Sequence, residues 1–142
     1  MHIDSQSSEE LVTTSGLPQG SILGPLFFIV YIIDLPRCLK HCSVNMYADD
    51  IVLYLAGSTV HNLIFYINQD LQCISEWLED NNLVLNVSET KCVLFTSQRH
   101  KERDCILNLN LLGKPISCET TFKYLRVVFD NFMTWKAHAD YV

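Results

Sequence analysis

The stretch Ser43-Val44-Asn45-Met46-Tyr47-Ala48-Asp49-Asp50-Ile51-Val52-Leu53-Tyr54-Leu55 sets two adjacent carboxylates between two apolar-rich segments. Ser43 to Ala56 reads as strand, turn and strand, ending at Gly57, with Asp49 and Asp50 at the tip of the hairpin. Carboxylate oxygens are the ligands Mg²⁺ prefers, and nucleotidyl transfer uses two such ions to stabilise the attacking and leaving oxygens of an in-line displacement. Two like charges this close repel unless a cation is present. The pair is therefore a candidate polymerase metal site. The plain alternative is an acidic hairpin turn, because Asp is common in turns.

Working outward, Gly16-Leu17-Pro18-Gln19-Gly20-Ser21-Ile22-Leu23-Gly24-Pro25-Leu26-Phe27-Phe28 lies upstream. Leu17 precedes a proline and is pushed toward an extended backbone, Gly16 and Gly20 permit close approach, and Ser21 is positioned to cap a helix. Leu26 to Ile33 is apolar nearly all round, which predicts a helix buried on most sides and stopped by Pro36. Downstream of Ser58, a candidate cap, Leu63, Ile64, Ile67, Leu71, Ile74 and Leu78 fall at helical spacing, and Asn81-Asn82 ends the pattern. Leu83 to Asn86 and Lys91 to Thr96 read as short strands around a polar turn. Leu107, Leu109 and Leu111 alternate with Asn108 and Asn110 before Gly113-Lys114-Pro115, the pattern of a half-buried strand in a hairpin. Phe122 to Asp130 carries further strand signal, and Trp135 opens a helix. Met1 to Glu10 is polar and is expected to fray, with Leu11 to Thr14 as the candidate strand beside it. Helices alternating with hairpins favour an α+β fold, an antiparallel sheet backed by helices.

A chain of 142 residues fits one domain, and its 49% apolar and 18% charged residues exclude a disordered low-complexity segment. Ten basic against sixteen acidic residues give a net charge of −6, which argues against tight nucleic-acid binding by this chain alone, so weak or no binding is expected. The nearest basic patch is Arg99, His100, Lys101 and Arg103, read first as a solvated loop. Six cysteines with no secretory signal, several of them in apolar segments, read as free thiols in a reducing compartment, so the expected location is intracellular, in cytoplasm or nucleus. Cys38, His41 and Cys42 are close in sequence, but no second pair completes a tetrahedral zinc site. Ile22 to Ile33 is too short to span a membrane, and no membrane association is expected. Asn86-Val87-Ser88 fits a glycosylation sequon that is expected to stay unmodified inside the cell.

The glycine-rich block and Tyr47-Ala48-Asp49-Asp50 together resemble the reverse transcriptases, most closely those of non-LTR (LINE-like) retrotransposons. The likeness continues through Asp34-Leu35-Pro36, then Leu83-Val84-Leu85-Asn86 with Lys91, then Lys123-Tyr124-Leu125, and finally Thr134-Trp135-Lys136-Ala137-His138. So many ordered blocks in one chain make chance likeness a poor account. The resemblance implies a reverse-transcriptase palm in which Asp49 binds metal directly and Asp50 supports the site, with two Mg²⁺ ions in the intact parent and Mn²⁺ as a substitute. It implies that Gln19, with Pro18 and Gly20, lies against the incoming nucleotide and template, and Tyr47 is grouped with them as substrate-binding. Lys91 matches a lysine placed to protonate or neutralise departing pyrophosphate; a solvated surface lysine is the alternative. Tyr124 and Leu125 resemble the primer grip, although the family usually has glycine where this chain has Arg126. The partners implied for the parent are an RNA template, a DNA primer and deoxynucleoside triphosphates.

The family's other catalytic strand, with its own metal-binding aspartate, is expected before Gly16, where Asp4 is the only aspartate in residues 1–15. The expected organisation is thus a polar N-terminal segment, 1–15, and a partial palm, 16–142, truncated at both ends and inactive alone. Two rivals stand beside this reading. One is a non-catalytic, domesticated or decaying remnant whose apolar surface acts at most in protein binding, which Arg126 and the acidic charge favour. The other is a fragment of a group II intron-type reverse transcriptase, ranked lower because the Trp135 to His138 block is more similar to the LINE-like pattern.

Overall fold

The computed structural model describes residues 2–3, 6–7, 20–96 and 107–142 of the chain. Strands β1 (His2–Ile3) and β2 (Gln6–Ser7) form a short antiparallel ladder where fraying was expected. Helix α1 (Gly24–Ile32) runs into a single 3₁₀ turn, Leu35–Cys38. The hairpin β3 (Ser43–Tyr47) and β4 (Asp50–Tyr54) follows, then the long helix α2 (Val60–Asp80). The remainder is β5 (Lys91–Cys92), β6 (Asn110–Leu111), β7 (Lys114–Pro115), β8 (Ser117–Cys118), β9 (Thr121–Tyr124), β10 (Val127–Asp130) and α3 (Lys136–Ala139). Among the described residues no helix is long and apolar enough to cross a membrane.

The core forms along α2. Its predicted stripe buries Leu71, Ile74 and Leu78, with Val60 at its start and Ile64 and Ile67 half-buried, against Leu107, Leu109, Leu111 and Ile116. Each aliphatic side chain so buried contributes ~1.5–3 kcal/mol. Polar side chains of α2 secure the same contact. The Asn68 amide nitrogen donates to the Asn108 carbonyl at 2.9 Å while its oxygen accepts the Asn110 N–H at 3.1 Å, and the Ser75 hydroxyl accepts the Leu112 N–H at 3.2 Å. The helix thus acts as a neighbour to the edge of β6, meeting backbone groups that would otherwise lack partners.

The fold class is α+β, but among the described residues the strands stand as five two-stranded ladders, where one antiparallel sheet was expected. Four are antiparallel, and β5 with β8 is parallel. Ladders of two to five residues cannot spread into a sheet without further strands beside them. Leu83 to Asn86 is irregular where a strand was expected: the Asn86 carbonyl accepts from the Glu89 N–H and the Thr90 hydroxyl, and its side-chain oxygen accepts from Ser88, closing a turn at that residue. The strand expected over Lys91 to Thr96 is confined to Lys91–Cys92.

Helix α1 also departs from expectation. It was predicted to be buried on most sides, yet Leu26, Phe27, Ile29, Val30 and Tyr31 are exposed and only Ile32 is buried. Apolar composition records what a helix face needs, whereas burial requires a surface to pack on, and among the described residues no strand ladder covers this one. Its start is uncapped by side chains: Leu23 occupies the N-cap and Ser21 contributes its carbonyl to the Gly24 N–H, not its hydroxyl. Thr59, not Ser58, stands at the N-cap of α2.

Candidate active site

The sequence Tyr47-Ala48-Asp49-Asp50 makes the tightest connection a hairpin allows. Tyr47 pairs with Asp50, leaving Ala48 and Asp49 as the two turn residues. Ala48 takes a left-handed φ of 52°, a conformation that tight hairpin turns require and that costs a residue with a Cβ ~1–2 kcal/mol. Ladder pairing of Met46 with Ile51, Asn45 with Val52, Val44 with Leu53 and Ser43 with Tyr54 holds that conformation in place. Asp49, Asp50 and the Tyr47 side chain are all exposed at the tip.

The donor set is two carboxylates, oxygen ligands suited to Mg²⁺, which commonly takes one or two protein carboxylates and fills its other positions with water and substrate phosphates. Among the described residues no group of three or more His, Cys, Asp or Glu side chains gathers to hold a metal. The hairpin tip therefore fits one side of a metal site.

Other predicted site residues lie on separate elements. Gly20 has a φ of +85° with nothing within 4 Å of where a Cβ would stand, so what glycine supplies there is backbone freedom. Pro18 and Gln19 lie outside the described residues, as do Leu11 to Thr14 and the basic group Arg99 to Arg103. The Lys91 ammonium donates to the Ser117 hydroxyl at 3.0 Å and stands 3.5 Å from Glu119, partners on and beside the parallel strand. Tyr124 ends β9, and Leu125 with Arg126 forms the two-residue turn to Val127. Both turn residues have left-handed φ values, 47° and 68°. Arginine thus occupies the backbone conformation that glycine adopts freely.

Two carboxylates that the motifs did not flag organise the backbone around these elements. Asp70, fully buried in α2, accepts the N–H groups of Lys40, His41 and Cys42 at 3.0, 2.9 and 2.6 Å. Burial pushes its carboxyl up, but those three amides and the Cys42 thiol outweigh burial and hold it below its ordinary 3.8. The Cys42 thiol, pushed up first by burial and then by Asp70, reaches about 12. A signal was available in the sequence, since an aspartate three residues after Ile67 and four before Ile74 sits on the apolar stripe. Asp130, at the end of β10, accepts the N–H groups of Phe132, Thr134 and Trp135 and the Thr134 hydroxyl, all within 2.9–3.1 Å. That cradle fixes the start of α3, where Trp135 lies 5.6 Å from the Phe129 ring and the Val128 N–H donates to His138 Nδ1.

The family model described as reverse transcriptase (RNA-dependent DNA polymerase) matches residues 1–129. The chain belongs to the reverse transcriptase family. Similar proteins within the family are polymerases of non-LTR mobile elements. The RNA-directed DNA polymerase from mobile element jockey of Drosophila funebris is 27% identical over 87% of this chain and 14% of its own length. Its counterpart from jockey of Drosophila melanogaster is 24% identical over 96% of this chain and 15% of its own. The retrovirus-related Pol polyprotein from type-1 retrotransposable element R1 2 of Nasonia vitripennis is 28% identical over 87% and 31%. This reverse transcriptase chain thus spans about a seventh of the length of the jockey relatives. No solved structure matches it.

Proposed function

We propose that the chain is the palm-type catalytic segment of an RNA-directed DNA polymerase of a non-LTR retrotransposon, carrying Asp49 as a direct metal ligand and Asp50 beside it. The observation that carries this reading is the hairpin itself: a two-residue turn with Ala48 at φ 52° exposes Asp49 in the turn and Asp50 in the last ladder pair, opposite Tyr47. Magnesium ions held there would balance charge on the attacking 3′-oxygen and on the leaving pyrophosphate. The chain's own residues do the rest. Gly20, with Pro18 and Gln19, gives a backbone that a nucleotide can approach; Tyr47 flanks the carboxylates on the substrate side; Lys91 neutralises the departing pyrophosphate; and the Tyr124–Leu125 turn supports the primer end. An RNA template, a DNA primer and deoxynucleoside triphosphates are the partners of the complete polymerase. Among the described residues the β3–β4 hairpin is the carboxylate strand supplied, and the chain alone is predicted to be inactive, because the clamp on both oxygens needs a second such strand.

The test is calorimetric titration of the purified chain with Mg²⁺ and Mn²⁺, alongside the Asp49→Asn/Asp50→Asn variant, followed by primer extension on an RNA template. Binding lost in the variant, with no extension by either chain, is the expected result. A folded chain that binds neither ion overturns the metal-site reading. Extension that Asp49→Ala abolishes overturns the prediction of inactivity. Arg126 at φ 68° favours a second reading, a non-catalytic remnant, and the absence of metal binding would support it.

A further inference from the structure

The catalytic hairpin is attached to the rest of the fold by few groups. Among the described residues, Leu53 of the hairpin packs against the core cluster, and the strand ladder joins β3 to β4 alone. Its other attachment is at the root. The three residues that lead into β3 at Ser43 present consecutive N–H groups to the Asp70 carboxylate, two on Oδ2 and one on Oδ1. Neighbouring side chains of α2 grip the same segment: His41 Nε2 lies 2.9 Å from Gln69 Oε1, and the His41 ring stands 4.5 Å from that of Tyr66. Tyr66, Gln69 and Asp70 share one face of the helix through their i, i+3 and i+4 spacing. A buried carboxylate in mid-helix has no role in the helix's own hydrogen bonding, so its energy is spent on segment 40–42.

We propose that Asp70 is a positioning residue for the hairpin, fixing through the amides of Lys40, His41 and Cys42 the orientation in which β3 presents Asp49 and Asp50. The inference rests on the proposed metal role of those aspartates but makes a separate claim about what holds them. A charged acceptor with two oxygens satisfies three donors at once, which a neutral side chain of the same size cannot do equally well. Loss of the charge leaves α2 intact, because its apolar stripe is untouched, and frees the strand root to reorient.

The experiment is amide hydrogen exchange of the full 142-residue chain, compared with Asp70→Asn and Asp70→Ala, combined with Mn²⁺ titration of all three. Exchange at residues 40–54 is expected to rise at least tenfold in Asp70→Ala and less in Asp70→Asn, which retains one acceptor oxygen, while residues 71–78 stay within about twofold. Mn²⁺ affinity is expected to fall at least fivefold in Asp70→Ala and to be partly restored in Asp70→Asn. Unchanged exchange in the hairpin overturns the proposal, and so does an equal rise in hairpin and α2 in both variants, the mark of a general stability role. Localised exchange in chains that all fail to bind Mn²⁺ sustains the positioning role and overturns the metal-site reading instead.

Discussion

Leu125 and Arg126 turn the β9–β10 hairpin side by side in the left-handed backbone region, at φ 47° and 68°. Neither residue has the freedom of glycine, so the turn that resembles the primer grip carries strain of ~1–2 kcal/mol per residue. Part of that strain is recoverable. Arg126→Gly is expected to stabilise the chain by ~0.5–1 kcal/mol, the steric relief less the greater entropy of an unfolded glycine, read as a higher urea midpoint at unchanged slope.

Ala48 poses the same problem at the turn that carries Asp49 and Asp50, with a different remedy closed off. A β-branched side chain at a φ of 52° clashes with its own backbone more severely than a methyl group does. Ala48→Val is expected to cost ~1–2 kcal/mol in urea unfolding and to weaken Mn²⁺ binding, since the carboxylates beside it lose their fixed approach.

The Asp130 cradle is sensitive to acid. The Thr134 N–H comes first, and with the Thr134 hydroxyl and the amides of Phe132 and Trp135 it outweighs burial and holds the carboxyl below its ordinary 3.8. A depressed folded value means the stabilisation is complete above that ordinary value and is lost as pH falls through the lower folded one. The amide resonances of Phe132, Thr134 and Trp135 are expected to shift below about pH 4, and Asp130→Asn to remove the transition.

Lys91 is tied to Ser117 and Glu119 on an exposed surface, where an ion pair contributes ~0–1 kcal/mol. Lys91→Ala is expected to change the stability of this chain by less than ~0.5 kcal/mol. Introduced into a complete polymerase, the same substitution tests pyrophosphate neutralisation with little interference from folding: a fall in kcat at unchanged thermal stability supports that role, and an unchanged kcat refutes it.

Half-buried thiols should resist alkylation unequally. Burial, followed by the hydrogen bond and charge of Asp70, takes the Cys42 thiol from 9.0 to about 12, and burial with neighbouring Cys118 takes Cys92 to about 11. Only the thiolate reacts, so iodoacetamide at pH 8 is expected to modify Cys42 roughly a thousandfold more slowly than an unperturbed cysteine, from the difference of three pH units. Peptide mapping over time measures both rates, and Asp70→Asn should speed modification at Cys42.

What was legible in the sequence was whatever rests on local periodicity. The stripe from Leu63 to Leu78 gave α2, alternation at Leu107 to Leu111 gave the three buried leucines although the strand itself is confined to Asn110–Leu111, and the apolar flanks of Asp49–Asp50 gave the hairpin. Relations across the chain were less visible. The parallel pairing of Lys91 with Ser117 joins residues 26 apart, and no pattern within either short segment announces it. Helix α1 was legible as a helix but not as an exposed one, because hydropathy is a property of a segment and burial a property of its surroundings. Asp70 was present as an anomaly on an apolar stripe, and its three partners lie 28 to 30 residues earlier.

The β3–β4 turn also has a kinetic meaning. Its ladder joins residues at most eleven positions apart, from Ser43 with Tyr54 down to Tyr47 with Asp50, so the loop closed at each step is short and the hairpin forms on the order of microseconds. A two-stranded ribbon is marginal in water by itself. The carboxylate tip is therefore sketched early in folding and erased repeatedly until α2, synthesised afterwards, winds far enough to bring Asp70 to its root.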